Sequence, residues 1–227
     1  MDRLSRIGVL VPSVNTVVED ELPGAFPNMG TSVGRIPLRG GPDLSDQLVA
    51  IRSAILDEAR KVADAGVQVI AVACGGATLV GDGDYDRQMR DDITTATGIP
   101  AITTTSAIVE TLHALGARSV VVVTPYPTWL HDRELDHFAA TGLKVIGVGL
   151  GCGPPETLGT VAASRVAAAV VEEVGQISAR VDAVLISCAN ARTASILEPL
   201  SCELGVPVTS SNDALFRTAR AIIEAKD

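Results

Sequence analysis

The chain has 227 residues, of which 47% are apolar, 3% are aromatic and four are cysteine, and its formal net charge is -9. Such an acidic protein is not expected to bind nucleic acid or an anionic membrane, because both attract basic surfaces. No apolar run approaches membrane-spanning length and no secretory leader pattern opens the sequence, so we expect a cytoplasmic protein with reduced cysteines.

Short β-branched runs alternate with amphipathic helical patterns along the whole chain, which is typical of an α/β fold. After the first strand and Pro12, either Ser13 or Asn15 is placed to cap the helix that follows. In chain order, the first half predicts a strand over 6–11, a helix after Pro12, a strand over 31–38, a helix over 44–65, a strand ending at Cys74, a Gly-rich loop, a helix over 85–97 and a strand over 99–103.

The second half repeats this order. Its predicted elements are a helix over 106–115, strands over 119–124 and 144–148 with a helix over 128–141 between them, a helix ending near 177, a strand ending at Cys188, a helix over 193–204, a strand over 206–208 and a helix over 214–225. Cys74 and Cys188 lie 114 residues apart (188 minus 74), about half the chain. We therefore predict two similar three-layer α/β/α lobes with parallel sheets, related by a pseudo-twofold axis, with the active site in the cleft between them.

The predicted lobes are discontinuous in sequence. Residues 1–103 plus 210–227 form the first lobe, which carries Cys74, and residues 104–209 form the second, which carries Cys188. In an open α/β sheet, ligands bind at the carboxyl ends of the strands. One free cysteine at such a place is commonly an inert small hydrophobe. Two at matching positions, each followed by small and polar residues, favour a catalytic role for both.

Two opposed thiols have two kinds of chemistry open to them. They can invert a planar carbon by proton transfer, or one can add to an activated double bond while the other protonates the neighbouring carbon. Both schemes need donors for a substrate carboxylate, and neither requires a cofactor. The predicted substrate-binding groups are the side chains of Asn15, Thr78, Tyr126 and Asn190 and the backbone N–H groups of Gly75, Gly76 and Ala189.

No metal site is predicted, because the chain has neither CxxC nor HxxxH spacing. The three histidines, His113, His131 and His137, fall on predicted helices as surface or packing residues. Cys152 and Cys202 lack the strand-end position, and no glycine-rich nucleotide loop follows the first strand.

The opening segment 12–16, with sequence PSVNT, and the later segment 187–193, with sequence SCANART, resemble the aspartate/glutamate racemase superfamily. Within it the likeness is to the maleate cis-trans isomerase and arylmalonate decarboxylase branch, over nearly the full length of the chain. Related decarboxylases keep only the second cysteine. The presence of both Cys74 and Cys188 here favours isomerisation or racemisation.

The resemblance implies that Cys74 adds to the alkene of maleate to give a succinyl-like adduct and that Cys188 protonates the adjacent carbon. Asn15 and Tyr126 would hold a carboxylate, and fumarate would be released. The alternative is a two-cysteine racemase, or an arylmalonate-type decarboxylase, acting on a small 2-substituted acid. A non-catalytic binder of small acids is a third possibility.

One segment departs from the isomerase pattern. Isomerases of this type usually carry an Asp-Asn pair in the loop after the strand over 144–148, whereas this loop reads GCGPPE at 151–156. Glu156 therefore stands where an amide would bind the second carboxylate. The expected partners are a small carboxylate substrate and a second copy of the chain, as a homodimer or higher homo-oligomer.

Overall fold

The computed structural model describes residues 4–81 and 83–225. Its strands form two parallel four-stranded sheets, ordered β2-β1-β3-β4 and β6-β5-β7-β8. The strands are β1 (Arg6–Pro12), β2 (Gly30–Ile36), β3 (Val69–Val72), β4 (Ala101–Thr103), β5 (Ser119–Thr124), β6 (Lys144–Gly149), β7 (Ala183–Ile186) and β8 (Val208–Ser210). The helices are α1 (Val17–Ala25), α2 (Leu44–Ala63), α3 (Gly76–Leu79), α4 (Tyr85–Thr97), α5 (Thr104–Ala114), α6 (Thr128–Ala140), α7 (Ala163–Gly175), α8 (Leu197–Leu204) and α9 (Ser211–Glu224).

The two sheets share one topology, since each runs second strand, first strand, third strand, fourth strand. The predicted α/β class with two lobes of parallel sheet is therefore confirmed. β3 and β7 are inner strands of their sheets, and every residue in them is buried. Their continuous apolar sequences follow from burial on both faces. Cys74 and Cys188 each come two residues after such a strand.

One apolar core runs between the sheets. It contains residues of β1 and β3 from the first sheet, residues of β5 and β7 from the second, and the buried faces of α5 and α9. The last helix, α9, packs on α5 and on β3 and β4 of the first sheet. The division at 103/104 and 209/210 stays a prediction, as does the homodimer, and the predicted ends of the first lobe at 1–3 and 226–227 lie outside the described residues.

Several local features differ from the predictions, among them the last strand, β8, which was predicted over 206–208, and the last helix, α9, which was predicted over 214–225. Residues 76–79, predicted as loop, form the one-turn helix α3, whose residues are all buried. Helix α5 begins at Thr104 because Thr103 caps it and forms a capping box with Ser106. Helix α8 begins only at Leu197. Over the described residues, none of the helices has the length and apolar character needed to cross a membrane.

Candidate active site

Cys74 and Cys188 line the same cavity, between the carboxyl ends of β3 and β7. The cavity volume is about 70 Å³. One water molecule needs about 10–15 Å³ on this measure, so there is room for a small acid of several heavy atoms. Two larger grooves, of about 570 and 820 Å³, lie around α8 and α9 and contain none of the predicted site residues.

Both thiols are held in their neutral form by burial. Burial raises the pKa of Cys74 to about 11. It raises the pKa of Cys188 to about 12, with smaller contributions from the negative charges that Glu134 and Cys74 can carry. Removing water disfavours a thiolate unless fixed donors replace the lost hydration.

At each cysteine, backbone N–H groups replace part of the hydration that a thiolate loses on burial. The N–H of Ala77, which donates to the Cys74 carbonyl at 3.2 Å, also acts on the Cys74 sulfur and lowers its pKa against the larger effect of burial. The N–H groups of Asn190 and Ala191 do the same for Cys188. In both lobes the donor three residues after the cysteine takes part, so the two turns present equivalent sites for a thiolate. The chain thus provides two matched sulfur positions across one cavity.

Asn15 lines the cavity with its amide partly occupied. Its Oδ1 accepts the N–H of Val18, in the first turn of α1, at 3.0 Å, whereas the N-cap position itself falls on Thr16, whose side chain makes no capping hydrogen bond. Ser13 instead donates to the carbonyl of Leu38 at 2.9 Å. Among the described residues, the Asn15 Nδ2 has no hydrogen-bond acceptor. This N–H group is therefore available to a ligand.

Tyr126 follows β5 and lines the cavity opposite Gly75. Burial raises the pKa of Tyr126 well above its usual value, and the negative charges that Cys188, Glu134 and Cys74 can carry raise it further. The phenol is therefore neutral and keeps its proton at neutral pH. It is placed as a hydrogen-bond donor.

The remaining predicted residues divide into two groups. Gly75, Gly76 and Ala189 line the cavity, and the first N–H groups of a helix such as α3 have no acceptor inside the helix. Thr78 lies outside the lining: its hydroxyl donates to the Gly75 carbonyl at 3.0 Å and pairs with Thr105. It positions the α3 turn.

Asn190 lines the cavity, but its side-chain amide is engaged elsewhere. Its Oδ1 accepts the N–H of Thr16 at 3.1 Å, and its Nδ2 donates to the carbonyl of Pro155 at 2.9 Å. The Asn190 amide therefore joins the loop after β1 to the loop after β6. What it offers at the site is its backbone N–H, directed at Cys188.

The rest of the wall is mostly apolar. Among the described residues, no lysine, arginine or histidine lines the cavity, and Glu156 is the acid that does. Any bound carboxylate must therefore be held by neutral donors. None of the groups of His, Cys, Asp and Glu within 4–81 and 83–225 has a metal-binding arrangement. The larger apolar side chains of the wall are Pro12, Val14, Leu38, Leu44, Leu48, Leu130 and Pro155.

Two residues behind the cavity were not predicted from the sequence. Glu134 of α6 is buried, with 1% of its surface exposed, and accepts a hydrogen bond from Ser187, the residue before Cys188. Burial raises the pKa of Glu134 to about 8. A sequence signal was available, because Leu130, Glu134 and Phe138 lie on one helical face and all three are buried.

Fold and site together define a class: two-lobed α/β proteins that present a pair of cysteines in a small cavity furnished with neutral donors. The family model for arylmalonate decarboxylase matches residues 7–226, and the chain belongs to that family.

Relatives within the branch carry two different names. The chain is 25% identical over 214 residues to an arylmalonate decarboxylase of Bordetella bronchiseptica, covering 92% of this chain and 87% of that protein. It is 29% identical over 230 residues to a maleate isomerase of Nocardia farcinica, covering 93% and 87%. A solved structure of a cysteine variant of the Nocardia farcinica maleate cis-trans isomerase, with a covalently bound succinylcysteine intermediate, matches with a TM-score of 0.83 and 26% identity over 98% of this chain and 94% of that one.

Proposed function

We propose that the protein is a two-cysteine isomerase that converts a small cis-unsaturated dicarboxylate into its trans isomer, as in maleate to fumarate. The observation that carries the proposal is that Cys74 and Cys188 line one cavity small enough for both to reach a single bound acid. The covalent succinylcysteine in the Nocardia farcinica isomerase supports a sulfur–carbon adduct in this branch. No cofactor enters the proposed steps.

The reaction begins with Cys74 as thiolate. At pH 7, a pKa of about 11 makes its formation cost about 5 kcal/mol, which the Ala77 N–H and the substrate site must offset. The sulfur forms a bond to one alkene carbon, and the electron pair of the double bond moves to the neighbouring carbon. Cys188, whose pKa of about 12 keeps it protonated, delivers its proton there.

The adduct then has a single bond where the alkene was, about which rotation is free. Cys188 as thiolate takes the proton back from the carbon, the electron pair re-forms the double bond, and the bond to the Cys74 sulfur breaks. Cys74 is released as thiolate and the trans acid leaves. During addition, negative charge grows next to one carboxylate, where the Asn15 amide and the Tyr126 hydroxyl are the available donors.

A second candidate is proton transfer at the α-carbon of a 2-substituted acid, giving racemisation or, from a malonate, decarboxylation. Two features of the cavity favour it. Four leucines, Leu38, Leu44, Leu48 and Leu130, form an apolar wall suited to a hydrocarbon substituent. Glu156 stands at the cavity where a second carboxylate would be repelled, which favours racemisation of an acid with one carboxylate over a reaction of either maleate or a malonate.

Trapping an adduct tests the leading proposal. In Cys188→Ala, water must supply the proton to the carbon next to the new sulfur–carbon bond, and the thiolate that would remove this proton again is gone. Incubation with maleate should therefore leave a mass increment of one maleate on the peptide containing Cys74. Cys74→Ser provides the matched control and should show none. If the wild-type protein converts maleate while Cys74 of Cys188→Ala stays unmodified, addition by the Cys74 sulfur is excluded.

Deuterated water separates the two candidates. The racemase must exchange the α-hydrogen of a saturated 2-substituted acid, whereas the isomerase should convert maleate to fumarate and leave saturated acids unlabelled. Proton NMR follows both reactions in one tube. A pure binding protein would do neither, and its ligand affinity should survive replacement of each cysteine by serine.

A further inference from the structure

The segment that follows the second cysteine, residues 189–194, belongs to no helix or strand. Its path therefore depends on hydrogen bonds to other parts of the chain. The far end of the segment is held by Glu21 of α1, whose Oε1 accepts the N–H groups of Thr193 and Ala194 at 2.8 and 2.9 Å. The other oxygen of this carboxylate, Oε2, accepts a hydrogen bond from the Asn212 amide at 2.7 Å.

The near end of the segment is held by Asn212, the second residue of α9. Its Nδ2 donates to the carbonyl of Ala189 at 3.2 Å as well as to Glu21. Asn212 has 1% of its surface exposed and lies outside the cavity lining, whereas Ala189 lines the cavity. The Ala189 carbonyl thus points away from the cavity. Because the C=O and N–H groups of a trans peptide point in opposite directions, Asn212 fixes which side of the peptide between Ala189 and Asn190 is turned to the cavity.

The orientation of the Asn212 amide follows from its neighbours. Its Nδ2 faces two acceptors, a carboxylate oxygen and a carbonyl oxygen, whereas its Oδ1 is buried without a hydrogen-bond partner among the described residues. The reversed amide would set an oxygen against two oxygens and is disfavoured, because a carboxylate and a carbonyl can only accept. An unpaired buried acceptor also costs stability. Asn212 is therefore placed for what its two N–H bonds hold, and not for stability alone.

The other cysteine has an equivalent arrangement built from different residues. The carbonyl of Gly75, which directly follows Cys74, accepts the Thr78 hydroxyl at 3.0 Å. Thr78 pairs at 2.6 Å with the hydroxyl of Thr105, which is the second residue of α5 as Asn212 is of α9. In both lobes, the carbonyl one residue after the cysteine is therefore bound through the start of the helix that follows the fourth strand. Two different sets of side chains thus produce one geometry, which favours a role at the cysteines over local packing.

We propose that Asn212 and Glu21 are positioning residues for Cys188: they hold the peptide after this cysteine so that its sulfur keeps one place in the cavity. Neither residue lines the cavity, so both act through the segment 189–194. In the isomerase cycle, Cys188 must give a proton to a carbon and take it back, and a displaced sulfur does both slowly. This consequence for catalysis rests on the proposed function, whereas the positioning of the sulfur does not.

The first test compares the two site cysteines within one molecule and without substrate. A buried thiol is alkylated when its surroundings open locally, so release of the segment should expose Cys188 more often. In Asn212→Ala, iodoacetamide at a fixed pH should label Cys188 about 2- to 12-fold faster than in the wild-type protein, which is the effect of losing one hydrogen bond. The labelling rate of Cys74 should stay unchanged. Peptide mass spectrometry gives both rates from the same sample.

The opposite lobe supplies the matched control. Thr78→Val removes the equivalent hydrogen bond without changing the size of the side chain, and it should speed the labelling of Cys74 and not that of Cys188. Glu21→Gln is the second variant on the Cys188 side, because an amide of the same size cannot accept hydrogen bonds at both ends. Labelling that does not rise selectively at Cys188 in the two variants of that side would overturn the proposal.

The second test compares kcat with KM for maleate. Asn15 and Tyr126, the proposed donors to the substrate carboxylate, form no hydrogen bond with Asn212 or Glu21 among the described side chains. Asn212→Ala should therefore lower kcat about 10- to 100-fold, as expected for a misplaced reacting group, and change KM less than about twofold. Selective labelling of Cys188 without turnover of any acid would leave the positioning role standing and remove the proposed function. Wild-type kcat in Asn212→Ala, together with unselective labelling, would do the reverse.

Discussion

In the proposed function a substrate carboxylate binds against Tyr126, and the space beside Gly75 leaves room for it. Gly75 has φ -59° and ψ -45°, a right-handed helical conformation that alanine adopts without strain. A Cβ at this position would lie 3.5 Å from the Tyr126 Oη and 3.9 Å from a methyl of Thr104, which are ordinary contact distances. Gly75→Ala should therefore fold normally, with about 0.4–1 kcal/mol of added stability from the less flexible unfolded chain.

The same methyl group would occupy the position from which a carboxylate oxygen accepts the Tyr126 proton. Losing one hydrogen bond to a charged group costs about 1.5–3 kcal/mol. In kcat/KM this is a fall of about 10- to 150-fold. The assay is steady-state turnover of the acid identified as substrate, accompanied by urea unfolding to show that stability is not reduced.

Gly76→Ala is the internal comparison. Its Cβ would lie 3.3 Å from both terminal methyls of Leu48 and 3.5 Å from Leu130, on the apolar wall and away from the phenol. The flexible Leu48 must yield by a few tenths of an ångström, so activity should fall less than in Gly75→Ala. Wild-type kcat/KM in a correctly folded Gly75→Ala would refute the placement of a carboxylate at Tyr126.

Two further predictions follow from the raised pKa values. Iodoacetamide should label the exposed Cys202 first. The rate of labelling at Cys74 and Cys188 should rise about tenfold per pH unit through pH 9, and this labelling should inactivate the protein and be slowed by a bound acid. Peptide mass spectrometry measures the rates, and a plateau below pH 9 would show that burial does not control the pKa of these thiols. Between pH about 4.5 and 8, folded Glu134 keeps a proton that the unfolded chain releases. Its contribution to the free energy of unfolding is therefore complete below pH about 4.5 and falls by about 1.4 kcal/mol per pH unit toward pH 8. Urea unfolding of Glu134→Gln at a series of pH values should lack this fall.

Features set by local sequence were predictable. β5 spans the predicted residues 119–124, because five buried residues in a row between turns leave little choice of ends. The strand-end positions of Cys74 and Cys188 likewise followed from the apolar runs before them. Their presence in one cavity followed from the repeated order of elements, since equal lobes bring equal edges together.

Features set by distant residues were not predictable. Helix α8 starts four residues later than predicted because Glu21 of α1 accepts the N–H groups of Thr193 and Ala194, at 2.8 and 2.9 Å. These partners are 172 and 173 residues apart in sequence, and periodicity carries no information about them. Glu21 also accepts from the Asn212 amide at 2.7 Å, which fixes the start of α9.

Glu134 shows a different limit. Its place on the apolar face of α6 is visible in the sequence, but a helix-face pattern does not reveal whether such an acid finds a cation. The structure answers this, because Ser187 and Thr124 are its hydrogen-bonding neighbours. With hydroxyl groups and no cation as neighbours, Glu134 is a carboxyl whose pKa is raised and not one half of an ion pair.

The cavity wall made of neutral donors has a kinetic consequence. The polar groups that could hold an acid there are amide, hydroxyl and backbone N–H groups, beside the acid Glu156 and an apolar wall. A bound anion is therefore held weakly before reaction, because no full positive charge attracts it. In the proposed mechanism, the same dipoles act most strongly when sulfur addition places further electron density on the substrate. The proposed site would thus bind the transition state more tightly than the reactant or the product, and both would leave it quickly.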